Sequence, residues 1–254
     1  MPTKLFDLTG RVALVTGASR GIGEATARLL AAQGAHVVLS SRKQADLDKV
    51  AADIERAGGK ATAIAAHQGD SAALGKLIGE VKSSLGKLDI LVNNAATNPY
   101  YGHILDTDMG MLEKTLQVNI KGYFELSMLA GRIMRDQGGG AIVNIASING
   151  VSPGLMQGIY SVTKAAVINM TQAFAKECGP HKIRVHAVLP GFTDTKFASA
   201  LIKNEQLMKA FRATVPLRRE AQPAEIAPAV LYLASDAASY VTGTTLTVDG
   251  GYLS

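Results

Sequence analysis

The chain predicts an α/β protein in which one parallel sheet is covered by helices on both faces, and three observations carry that prediction. Seven short apolar runs, many of them β-branched, recur along the 254 residues. Segments with helical spacing separate them, as parallel neighbours require, because the chain must cross over before it can run in the same direction again. No Pro/Gly/Ser-rich linker divides the sequence and no short repeat stands out beyond the βα alternation, so residues 1–254 are read as a single domain.

In order, the run at 11–16 (RVALVT) stops at Gly17, and an Ala- and Leu-rich helix follows from Ile22 to Gln33. The run at 35–41 (AHVVLSS) leads into helical period from Gln44 to Ala57, which Gly58-Gly59 ends. Next come ATAIAA at 61–66, a helix over 71–85, LDILVN at 88–93, helices across 107–137 and AIVNIA at 141–146. A helix over 158–178 precedes IRVHAVL at 183–189, and a helix over 223–234 precedes TTLTV at 244–248. The rhythm breaks between Gly191 and Pro216. That stretch mixes apolar and charged residues beyond a strand end, and about 192–216 reads as a flexible flap of the kind that closes over ligands.

A composition of 47% hydrophobic and 19% charged residues suits a compact fold with a sizeable core. Lys and Arg number 26 against 21 Asp and Glu, and the excess is dispersed. No basic run interleaved with aromatics is present, so no nucleic-acid partner is expected, only a mild preference for anionic ligands. Cys178 is the lone cysteine, which excludes an intramolecular disulfide, and with no basic partner beside it the thiol reads as structural. No apolar run reaches the roughly 18 residues of a membrane span. The start, MPTKLFDLTGR, has no secretory apolar region, so a cytoplasmic protein is expected.

TGASRGIG, residues 16–23, falls where the first strand meets the first helix. Gly17, Gly21 and Gly23 permit a tight turn, and the backbone N–H groups around Ser19, Arg20 and Ile22, at a helix N-terminus, suit a pyrophosphate. The spacing is GxxxGxG rather than the commoner GxGxxG, and its position between strand and helix is what marks it as a dinucleotide site. At the end of the second strand stands Ser40-Ser41-Arg42-Lys43, where an NAD site usually places an acid for the ribose 2′-hydroxyl. Ser41, Arg42 and Arg20 suit a 2′-phosphate instead, so NADP(H) is expected ahead of NAD(H). The alternative is two solvated surface arginines.

Tyr160 and Lys164 lie four residues apart in the expected helix 158–178, which puts phenol and ammonium on one face. Alone, the pair reads more readily as a surface tyrosine near a lysine. In company it does not. TGASRGIG, NNAA at 93–96, Asn119 in VNIKG, Ser147, YSVTK at 160–164, Pro190-Gly191 and the terminal VDGG resemble, in order and spacing, the short-chain dehydrogenase/reductase family over essentially the whole chain. The resemblance implies a Rossmann-type doubly wound domain with a seven-stranded parallel sheet. It also implies a homotetramer or dimer built through helices at about 111–136 and 158–178. Within the family, HVVLSSRKQADLD and NAATNPYYGHILD resemble NADPH-dependent carbonyl and retinal reductases of the dehydrogenase/reductase member 4 type. The terminal Tyr252-Leu253-Ser254 is not the peroxisomal tripeptide that eukaryotic relatives of that type often carry.

Carried over by position, Tyr160 resembles the general acid/base, and Lys164 the residue that holds the nicotinamide ribose and lowers the tyrosine pKa by its charge. Ser147 resembles the donor to the same substrate oxygen, with a strand-end cap as the plainer reading. Asn119 resembles the member that holds a water in a proton relay. Asn93 and Ala95 look like the border of the riboses, with a polar strand end as the alternative. Pro190, Gly191, Thr193 and Thr195 look like the stretch that orients the carboxamide. Two positions depart from the family: Ala96 stands for Gly, and His67-Gln68-Gly69-Asp70 stands for Asp-Val-x-Asp, leaving the Gln68 backbone as the expected adenine contact.

The substrate contacts expected are Tyr100, Asn149, Met156, Phe192 and Phe197, with Tyr101, Ile104, Ile148, Leu201, Met208 and Phe211 nearby. Together they imply a largely apolar mouth and a hydrophobic ketone or aldehyde, reduced by hydride transfer without a metal. A 3-oxoacyl thioester reductase would share every catalytic motif. Lys196, Lys203, Lys209, Arg212, Arg218 and Arg219 suit either its acidic carrier or a solvated helix face. A non-enzymatic NADP(H) sensor or scaffold is the third reading, and the presence of all four catalytic side chains speaks against it.

Overall fold

The computed structural model describes residues 4–195 and 205–254. Strand β1 (Val12–Thr16) is buried at every position. Its alternate side chains serve two cores, because successive strand residues point to opposite faces. Ala13 and Val15 pack with Val37 and Leu39 of β2 (His36–Ser41), Leu30 of α1 (Gly21–Ala32) and Val230 of the helix Pro223–Ala234. Val12 and Leu14 pack with Leu74 and Leu77 of α3 (Ser71–Leu85) and Leu126 of α5 (Gly122–Gln137) on the other side. A strand covered on both faces has no use for alternating polar residues, hence the continuous apolar runs.

The remaining strands are β3 (Lys60–Ala65), β4 (Ile90–Asn93), β5 (Gly140–Ile145), β6 (Ile183–Pro190) and β7 (Thr245–Val248). The sheet is all parallel and seven-stranded, in the order β3-β2-β1-β4-β5-β6-β7. The chain therefore builds outward from β1 to β3, by way of α2 (Gln44–Arg56), then returns to lay β4 on the other side of β1. That reversal opens a crevice beyond the carboxyl ends of β1 and β4, where ligands of doubly wound sheets bind. The Rossmann-type expectation holds, and each strand lies within two residues of its sequence-based bounds.

Two segments differ from the sequence reading. Between α4 (Met109–Leu116) and α5 lies a π-helical turn, Gln117–Lys121, which local periodicity does not reveal. The described part of the expected flap holds a helix, α7 (Glu205–Thr214), and a β-bridge from Thr193 to Ala221. Arg212 of α7 donates two hydrogen bonds of 2.9 Å to the Glu220 carboxylate. α6 (Gly158–Cys178) and α8 (Pro223–Ala234) match their expected bounds.

Candidate active site

The crevice at the sheet reversal widens into a cleft of about 860 Å³. Its floor begins at Thr16, whose hydroxyl accepts from the backbone N–H groups of Asn94 (3.0 Å) and Ala95 (3.1 Å), tying the end of β1 to the end of β4. The Asn94 amide donates to the Thr16 carbonyl at 2.9 Å and to the Gly17 carbonyl at 3.3 Å. Asn94 is thus wedged beneath the turn, and the glycines are sized to it. A Cβ on Gly17 would lie 2.6 Å from the Asn94 Nδ2, and one on Gly23 would collide with Asn94 and the Gly17 carbonyl. Gly17 and Gly21 also sit at φ 65° and 61°, in the left-handed region that other residues resist. The cradle that remains, Gly17, Ser19, Arg20, Gly21 and Ile22 at the start of α1, fits a pyrophosphate.

Ser41, Arg42, Gln68, Ala95, Pro190, Gly191, Thr193 and Thr195 line the same cleft, as do Lys43 and Asp46. Sequence reading left Asp46 out, because it lies in the first turn of α2 rather than at the strand end. The Gln68 side chain is buried, and its Nε2 has no hydrogen-bond partner among the described residues. That orphaned donor, on a residue of the cleft lining, fits an acceptor atom of a bound cofactor.

Asn93 and Gly23 do not line the cleft. Asn93 is fully buried, and its amide donates to the Ser127 hydroxyl and the Asn144 carbonyl oxygen, both at 2.9 Å. The Asn144 amide continues to Thr171 at 2.9 Å. This buried polar ladder clamps β4 and β5 to α5 and α6, so the plainer reading of Asn93 is the one the geometry favours.

Tyr160 and Lys164 occupy the first two turns of α6, as the spacing predicts. Lys164 is 1% exposed, and its Nζ donates to the Ile145 carbonyl at 2.6 Å. It sits 5.3 Å from the ring centre of Tyr123 and 5.5 Å from that of Tyr160. Burial pushes the ammonium down to about 7. Burial also pushes the Tyr160 phenol up to about 12, opposed by a side-chain hydrogen bond with Ser147. In the protein alone, then, desolvation dominates the phenol, with the Ser147 hydrogen bond opposing it.

Ser147 serves as the strand-end cap and also meets Tyr160. Its Oγ accepts from the Asn149 N–H at 3.1 Å, capping a 3₁₀ turn at Ile148–Gly150, while its side chain bonds Tyr160. Asn119 lies in the π turn, fully buried. Its Oδ1 accepts from the Thr97 N–H at 2.9 Å, and its Nδ2 donates to the Thr97 carbonyl at 2.9 Å and the Thr163 hydroxyl at 3.1 Å. It therefore binds the segment after β4 to the helix that carries Tyr160.

Of the expected substrate contacts, Asn149 and Phe192 line the cleft. Tyr100 does not: its hydroxyl donates to the His103 carbonyl at 2.8 Å, and Tyr101 takes the lining position. Met156 is also outside the lining, held at φ 62° in the turn before α6, with Gln157 inside. Phe197 lies outside the described residues. Sequence reading missed Thr97, Asn98, Gln157 and Tyr252. Tyr252 stacks on Phe211 at 6.0 Å, and Phe211 lies 4.9 Å from Phe192, an aromatic wall assembled from three distant segments. Of the basic residues considered for an acidic carrier, Lys196 and Lys203 lie outside the described residues, while Arg212 pairs with Glu220 and Arg219 with Glu225. Among the described residues there is no group of three or more His, Cys, Asp or Glu side chains that could hold a metal. No described helix is long and apolar enough to cross a membrane.

A phosphate cradle joined to a Ser, Tyr and Lys cluster at the sheet reversal defines a nicotinamide-dependent oxidoreductase, and comparison with known proteins places the chain within that class. A family model described as enoyl-(acyl carrier protein) reductase matches residues 17–253. Human dehydrogenase/reductase SDR family member 4 is 37% identical over 98% of this chain and 90% of its own length. Two crystal structures superpose closely. A gluconate 5-dehydrogenase from Burkholderia cenocepacia, in complex with NADP and tartrate, has a TM-score of 0.95 and 30% identity, covering 98% of both chains. A 7α-hydroxysteroid dehydrogenase, complexed with NADH and 7-oxo glycochenodeoxycholic acid, has a TM-score of 0.95 and 33% identity, covering 99% of this chain and 97% of its own. The chain belongs to the short-chain dehydrogenase/reductase family and is an NAD(P)-dependent dehydrogenase/reductase.

Proposed function

We propose that the protein is an NADP(H)-dependent carbonyl reductase acting reversibly on hydrophobic ketones or aldehydes. The observation that carries the reaction is the hydrogen-bonded Ser147–Tyr160 pair opening on the cleft, with Lys164 buried behind it. The cofactor, when bound, supplies the hydride. Gly17, Ser19, Arg20, Gly21 and Ile22 hold its pyrophosphate, and Pro190, Gly191, Thr193 and Thr195 border its nicotinamide. Ser147 and Tyr160 bind the carbonyl oxygen between their hydroxyls, where their hydrogen bonds strengthen as negative charge develops. Tyr160, whose phenol stays protonated up to about pH 12 in the protein alone, is the proton donor. Lys164 holds the ribose, and Asn119 joins the relay that reprotonates Tyr160.

Arg20, Arg42 and Lys43 in the lining support NADP(H) over NAD(H), with Asp46 as the one opposing charge. The aromatic wall of Phe192, Phe211 and Tyr252 supports an apolar substrate, and the carboxylate pairing of Arg212 and Arg219 leaves less free positive charge for an acidic carrier. Assembly into a homotetramer through α5 and α6 is part of the same reading. It is supported by Phe124, 51% exposed on α5, packed edge-on against Phe174 of α6.

The deciding experiment is a panel of ketones, aldehydes and acyl thioesters run with NADPH and with NADH. Preferred turnover of ketones with NADPH is expected, and preference for acyl thioesters would favour the carrier-linked reading. Tyr160→Phe is expected to abolish turnover while retaining NADPH binding, and a fully active variant would refute the assignment.

A further inference from the structure

Three amide side chains stand together in the cleft, and of these only Asn149 was expected as a substrate contact. Asn98 follows β4, Asn149 lies in the 3₁₀ turn after β5, and Gln157 immediately precedes α6. All three line the cleft, and they converge. The Asn98 amide donates to the Gln157 Oε1 at 3.4 Å. A Cβ built on Gly154 would stand 3.0 Å from the Asn149 Nδ2 and 3.1 Å from the Gln157 Nε2, so both amide groups face the one space that the glycine leaves open. The Asn98 Oδ1 is shielded from solvent and has no hydrogen-bond partner among the described residues. Exchanging the oxygen and nitrogen of Asn98 and Gln157 together keeps their mutual bond and still leaves one Asn98 terminal atom unpartnered.

A buried amide without a partner costs more than a hydrogen bond gains, so the cluster is built for something that completes it. The set offers donors from Asn149 and Gln157 and an acceptor from Asn98, and a hydroxyl group is the small function that answers both. A carboxylate would set its charge against the Asn98 oxygen, and a simple ketone would leave that oxygen unanswered. Position fixes where the hydroxyl lies on the substrate. The Asn149 backbone N–H bonds the Ser147 Oγ at 3.1 Å, and Gln157, the residue before α6, stands three positions before Tyr160; all four residues line the cleft. The Gly102 N–H also bonds the Met156 carbonyl at 3.0 Å, strapping the loop of Asn98 to the loop of Gln157.

We propose that Asn98, Asn149 and Gln157 form a subsite for a hydroxyl group vicinal to the reacting carbonyl. The substrates are then hydroxyketones with an apolar remainder against Phe192, Phe211 and Tyr252, and their products are vicinal diols. The inference rests on the reading of Ser147 and Tyr160 as the pair that binds the carbonyl oxygen.

The test compares 2-hydroxyacetophenone with acetophenone, which differ only in the vicinal hydroxyl. The ratio of their kcat/KM values with NADPH is measured for the native enzyme, Gln157→Leu and Asn149→Leu. Using a ratio removes the intrinsic reactivity difference and any partial loss of folded protein. Binding of both ketones to the Tyr160→Phe protein with NADP⁺ is measured by calorimetry, a readout independent of turnover. The native preference for the hydroxyketone is expected to fall about tenfold in each leucine variant, and its affinity to be about tenfold higher than that of acetophenone. An unchanged ratio in both variants, or equal affinities, would overturn the subsite. Tighter hydroxyketone binding with no turnover of either ketone by the native enzyme would sustain the subsite and refute carbonyl reduction instead.

Discussion

Replacing Lys164 with Met is expected to stabilise the cofactor-free protein at pH 6 while destroying its activity. Burial moves the lysine from 10.5 to about 7. At about 1.4 kcal/mol per pH unit, holding the charged form inside the fold costs on the order of 5 kcal/mol. Met fills a similar volume but leaves the Ile145 carbonyl without its 2.6 Å donor and removes the contacts with the Tyr123 and Tyr160 rings, together about 3 kcal/mol. The net gain is about 2 kcal/mol. Because the folded pKa lies below the unfolded one, the unfolded chain binds more protons between pH 7 and 10.5. Native stability therefore rises with pH across that window, and the advantage of the variant shrinks and then reverses. Tyr123 and Tyr160 do not confuse the readout, since burial raises both phenols, Tyr160 to about 12. Urea unfolding of both proteins at pH 6, 8 and 9.5 measures the difference. A variant less stable than the native protein at pH 6, or a difference that is flat with pH, would refute the reasoning.

Three further outcomes follow from the site. Gly23→Ala drives a methyl group into Asn94 and the Gly17 carbonyl, so cofactor affinity by fluorescence titration is expected to fall at least tenfold, with about 2 kcal/mol lost in urea unfolding. Arg42→Ala is expected to weaken NADPH binding about tenfold to a hundredfold and to leave NADH binding nearly unchanged, read from the two dissociation constants. Asn119→Ala removes three hydrogen bonds and leaves the Thr97 N–H and carbonyl unanswered, so about 3 kcal/mol of stability is expected to be lost, with kcat falling as the segment after β4 loosens.

The sheet was legible because its signal is local: an apolar run of five or six residues between helical periods is visible without knowing what packs on it. The cradle was legible for the same reason, since Gly17, Gly21 and Gly23 are contiguous with the strand and helix that present them. Other positions were misread where a side chain's direction depends on packing. Asn93 and Asn94 are adjacent and chemically identical, yet strand alternation sends one into the core ladder and the other beneath the glycine turn. Tyr100 and Tyr101, adjacent in a loop, also divide: only Tyr101 lines the cleft. The helical spacing of Tyr160 and Lys164 predicted a shared face, but not that burial would push their pKa values apart, because desolvation is set by everything that surrounds them.

By itself, then, the sequence determined the strands, the helices, the glycine turn after β1 and the order of Ser147, Tyr160 and Lys164, all properties of segments a few residues long. Only the tertiary structure decided that Asn98, Asn149 and Gln157 meet at one space, that Phe192, Phe211 and Tyr252 form one wall, and that Lys164 is almost wholly buried. Those relations reach across as many as about 60 positions of sequence, created when the crossovers of the sheet bring strand ends together, and no local pattern encodes them.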